Sequence, residues 1–165
     1  MAENKSNKIK TNVFDYLAWR GDIPFTFGGV NEVDALIFTI LAYLDFPAEA
    51  ESGVITLKEA AEILGSIPEK ERPEGPDMIM DKAYEFIALA AGSERSGQLG
   101  ISDFVNMVDH ERELQFSAVT FHLPDNVYFI ALRGTDNNLI GWKEDMALSF
   151  SEAVPAQIEA SEYVR

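Results

Sequence analysis

Gln115–Asp145 reads QFSAVTFHLPDNVYFIALRGTDNNLIGWKED, and its interpretation decides the fold. Ser117–Leu123 and Val127–Arg133 are two runs rich in Val, Ile, Phe, Tyr and Thr, whose branched or flat side chains suit a pleated surface. Between them stand Pro124, Asp125 and Asn126, residues that favour a tight reversal through a fixed φ or a tolerated left-handed backbone. The spacing predicts a β-hairpin over about residues 115–133. Val127–Leu132 is apolar without interruption, where a half-exposed strand should alternate. That continuity predicts a strand covered by helices on both sides, as in an α/β sheet.

Arg133, Gly134 and Thr135 come where the second strand should end. Gly134 can take a positive φ at little steric cost, so the chain can turn sharply and present the next amide. Thr135 would then offer a backbone N–H and a hydroxyl to one point, a pair suited to an anion or to the oxygen that becomes negative in acyl transfer. A Gly-Thr pair after a strand is also common in plain turns, so the motif needs its context.

Six residues separate LRGT from WKED. That pattern resembles the oxyanion loop of class 3 (fungal-type) lipases: a strand, Arg-Gly-Ser/Thr, a short loop, then Trp-x-x-Asp. More closely, the hairpin, RGTDNNLIGWKED and the upstream NVFDYLAWRGD and NEVDALI are similar to a bacterial family of lipase-like α/β hydrolases whose activity is itself uncharacterised; the likeness spans most of residues 12–165. The resemblance implies Thr135 as oxyanion donor, Gly134 as the turn, Asp145 as support for the loop, and Trp142 at the wall of the site. It also implies a fold: an α/β domain with a partial α/β-hydrolase-like sheet, its central hairpin packed by several helices.

No Gly-x-Ser-x-Gly occurs. GSERSG at Gly92–Gly97 and GISDF at Gly100–Phe104 fail the glycine spacing, and His110 and His122 both precede the oxyanion loop. The resemblance therefore implies the N-terminal portion of a serine hydrolase, with nucleophile, acid and His outside this chain. The full protein would act on a small-molecule ester or lipid, and the 165-residue chain itself would be inactive. The alternative is a non-catalytic binding or assembly module, whose incomplete sheet pairs with another copy as a homo-oligomer.

Composition sets outer limits. With 47% hydrophobic residues in 165, the chain can bury a sizeable core and is expected to form one domain. Its 28 acidic and 13 basic side chains give a net charge of −15, which disfavours nucleic acid and anionic membrane surfaces as partners. There is no cysteine, so disulfides and thiolate chemistry are excluded, and two histidines leave a zinc site without support. No cofactor or metal is expected. The polar start MAENKSNKIK lacks a secretory apolar core, and no apolar run reaches ~18 residues, so the expected setting is cytoplasmic, without membrane insertion.

Residues 1–11 are expected to be a frayed or disordered tail. Asn12 predicts a helix over Val13–Arg20 closed by Gly21; the Arg20-Gly21-Asp22 triplet there is a helix stop rather than an adhesion motif. Val33, Leu36, Ile37, Ile40, Leu41 and Leu44 recur at helical spacing behind an Asn31 cap. Thr56 and Glu59 predict a capping box before Leu57–Leu64, and Ser66–Pro76 an exposed loop. A further helix ends near Ala91, and Ser102 is expected to begin a short helix over Ile101–Val108. Both histidines are expected to be solvated. Val154 and Pro155 predict the start of a last helix.

Overall fold

The computed structural model describes residues 12–72, 80–112, 114–133 and 152–165. The predicted hairpin is present. Strands β3 (Leu114–Leu123) and β4 (Val127–Leu132) pair antiparallel from Ala118↔Leu132 to Leu123↔Val127. Their link is a 3-10 turn, Pro124–Asn126, in which Asp125 (φ 61) and Asn126 (φ 57) are left-handed. Asp and Asn tolerate that backbone better than other non-glycine residues.

On the other side of β3 lies β2 (Gly100–Asp109), and beyond it β1 (Ile55–Thr56), so the antiparallel sheet runs β1-β2-β3-β4. The class is mixed α/β, as expected, but β4 is not the strand covered on both faces that its composition implied. Among the described residues it forms the sheet's edge, with Val127 50%, Tyr128 57% and Leu132 44% exposed. Uninterrupted apolarity in a six-residue strand marks pairing competence as readily as burial.

The helix expected over Ile101–Val108 is strand β2. Its register shifts between Ser102 and Val105, and Asp103 there is left-handed at φ 54. A bulge inserts one residue and breaks the alternation, so Ile101, Phe104, Val105 and Val108 fall at a spacing that mimics a helical stripe.

Helices α1 (Val13–Arg20), α2 (Glu32–Leu41), α4 (Leu57–Gly65) and α5 (Met80–Ala91) follow the predicted pattern, with the four-residue helix α3 (Glu49–Ser52) between α2 and β1. Asn12, Asn31 and Thr56 each close a reciprocal capping box, with Asp15, Asp34 and Glu59 reaching back to the cap amide. The Thr56 hydrogen bonds, backbone first, hold the Glu59 carboxyl below the usual range.

One face of the sheet meets α2 in the main core, and α5 joins that core by packing against α1, α2 and α4. Phe38 is stacked on Phe121 at 4.7 Å between ring centroids and tilted against Phe129 at 5.1 Å. Each fully buried Phe or Leu contributes about 1.5–3 kcal/mol by leaving water. The opposite face carries a small cluster, Leu114, Phe116 and Ala118, under α6 (Pro155–Tyr163). Among the described residues no helix is long and apolar enough to cross a membrane.

Candidate functional site

β4 ends at Leu132, where the oxyanion-loop reading needs it to end. The next residue is held from several directions. The Arg133 amide donates to the Ser117 carbonyl at 2.8 Å, and its Nη2 donates to Asn106 Oδ1 at 3.0 Å. Its Nη1 lies 3.6 Å from Asp45 Oδ1, which also accepts from Asn106 Nδ2 at 2.8 Å. The end of β4 is thereby fixed to three other segments. Gly134, Thr135, Trp142 and Asp145 themselves lie outside the described residues.

The outer edge of β4 is the second feature. VYFIAL contains no charged residue, proline or bulge, the devices that usually blunt an edge strand.

A third cluster was missed by sequence reasoning. His122, expected to be solvated, is half-buried, and its Nε2 lies 2.7 Å from Ser102 Oγ. The Ser102 hydroxyl in turn donates to the Asp103 carboxylate across the β2 bulge. The imidazole meets the Tyr128 ring edge-on at 5.0 Å and 77°. Beneath it lies Gly100, its strand partner: a Cβ there would come within 3.2 Å of His122 Cβ and 2.9 Å of Val54 Cγ1. Two residues along the same face, Thr120 Oγ1 is 2.9 Å from the Tyr163 hydroxyl of α6. Burial raises the Tyr163 pKa above 10.0, against the Thr120 hydrogen bond and together with the charge of Asp103. His110 is exposed, as expected.

His122 also lines a cavity of about 380 Å³, walled by Phe25, Leu99, Leu123 and Pro124, with Thr26 and Gln98 among its polar lining. Arg95 reaches the same space, but its guanidinium is committed elsewhere. Nε and Nη2 donate to Asp34 at 2.9 and 2.6 Å, Nη1 to the carbonyls of Ile23 and Gly28, and Nη2 to that of Gly29. The Asp34 hydrogen bond is the main cause holding the Arg95 pKa above its ordinary value. Asp34 interrupts the apolar stripe of α2, the signal by which this ion pair could have been anticipated. Among the described residues, no three His, Asp or Glu side chains converge as a metal site.

Residues 90–165, a little under half the chain, match the model of a family described as Mbeg1-like; the match takes in β2, β3, β4 and α6. No curated protein matches the chain, and no solved structure does. The match corrects the resemblance drawn from RGT and WKED: the family model that fits this half of the chain is Mbeg1-like and not a class 3 lipase family, so the lipase and hydrolase labels are withdrawn.

Proposed function

We propose that this chain is a non-catalytic binding and assembly module that extends its sheet across the outer edge of β4 by pairing with a second copy. The carrying observation is Val127–Leu132, which among the described residues is an edge strand without charge, proline or bulge and presents Val127, Tyr128 and Leu132 to solvent. Exposed N–H and C=O groups along such an edge are a template for another strand. The net charge of −15 opposes association at long range, but at physiological salt that repulsion is screened beyond about 8 Å. A cytoplasmic setting belongs to this reading. The wild-type chain should elute with twice its chain mass by size-exclusion chromatography with light scattering. Val127→Lys combined with Leu132→Lys should give monomers with an unchanged circular dichroism spectrum. A wild-type monomer overturns the proposal.

A further inference from the structure

The order of hydrogen bonds at His122 has a chemical consequence. An ionised carboxylate only accepts, and a serine hydroxyl has one proton to give. Because that proton goes to Asp103, the 2.7 Å contact between Ser102 Oγ and His122 Nε2 must be made by an Nε2–H. In the neutral ring, Nδ1 is then the lone-pair nitrogen. Nδ1 has no hydrogen-bond partner among the described residues, while Nε2, Tyr128 and Gly100 hold the ring in place. The left-handed Asp103 and the β2 bulge bring the carboxylate back onto its neighbour's hydroxyl.

The geometry points to the cavity beside His122 as a small-molecule site, in which Nδ1 accepts a hydrogen bond from a neutral, planar ligand of the phenol class. The volume of about 380 Å³ is in the range of ligand clefts, and Phe25, Leu99, Leu123 and Pro124 supply apolar walls for a ring. Among the described residues of the lining, no free counter-charge awaits an anionic ligand. Every N–H of Arg95 is spent on Asp34 and on backbone carbonyls, and Glu94 adds a negative charge to the lining. A fixed acceptor between apolar walls selects a ligand with one O–H and a flat body.

Nitrogen-15 NMR of histidine-labelled protein, at a pH where His122 is neutral, tests the assignment directly. The expected pattern is a protonated Nε2 and an unprotonated Nδ1. Phenol should shift the Nδ1 resonance and the Leu99 and Leu123 methyl signals saturably, and benzoate should not. His122→Phe should weaken phenol binding about five- to tenfold, the loss of one hydrogen bond. Ser102→Ala keeps the ring but should mix the two tautomers and weaken phenol by a smaller factor, so it carries the test if His122→Phe fails to fold. An Nδ1–H tautomer in the wild type, phenol shifts that bypass His122, or benzoate binding as well as phenol would each overturn the proposal.

Discussion

The two faces of the sheet differ in what they are made of. Toward α2, β3 presents Val119, Phe121 and Leu123 to a continuous core of phenylalanine, leucine and isoleucine. Toward α6 the same strand presents Leu114, Phe116 and Ala118, and then gives way to Thr120 and His122. The first face concentrates stability, and the second trades apolar area for hydroxyl, imidazole and carboxylate groups at its far end. The ion pair on the stable side is closed off: the Arg95 and Asp34 side chains are 1% and 2% exposed, and every Arg95 N–H is taken by Asp34 or by a backbone carbonyl.

The sharpest way to break this contrast is at that ion pair. Asp34→Ala leaves a buried guanidinium without its partner, and urea denaturation should show a loss of about 3–5 kcal/mol. A loss under 1 kcal/mol would mean the pair is not the anchor of the helical side. Next comes the aromatic on each face. Phe121→Ala should cost about 3–5 kcal/mol, and Phe116→Ala less, since the cluster around it is smaller. Equal losses would remove the asymmetry. Gly100→Ala inserts a methyl against the His122 ring and should cost about 1–3 kcal/mol by overpacking, with the His122 resonances shifting as the ring is displaced.

Smaller effects belong to α6. Tyr163→Phe removes the bond to Thr120 and should cost about 1 kcal/mol by the same denaturation assay. The pH dependence has a definite sign. The Tyr163 pKa is raised on folding, chiefly by burial, so its contribution to stability is complete below 10.0 and is lost as pH rises through the folded value. Ultraviolet difference spectroscopy should place ionisation of Tyr163 above that of a free tyrosine, and Tyr163→Phe should abolish that step. An unshifted step would leave Tyr163 solvated.

Local signals in the sequence predicted local structure well. Asn12, Asn31 and Thr56 cap helices because a cap needs only residues three apart, and Pro124-Asp125-Asn126 makes the hairpin turn by its own backbone preferences. What depended on distant partners stayed hidden. Arg95 finds Asp34 across 61 residues, and Ser102 finds His122 across 20, through a strand register that no local pattern reveals. The β2 bulge went further and disguised a strand as a helical stripe. Of the loop singled out for function, only its launch from β4 and the clamp on Arg133 fall within the described residues.

Hydrogen exchange along β4, followed as a function of protein concentration, bears most directly on the assembly claim. The account predicts that amides of Val127–Leu132 not bonded to β3 gain protection as concentration rises, while those on α1 do not change. Exchange of the β4 amides at one rate at every concentration would contradict it.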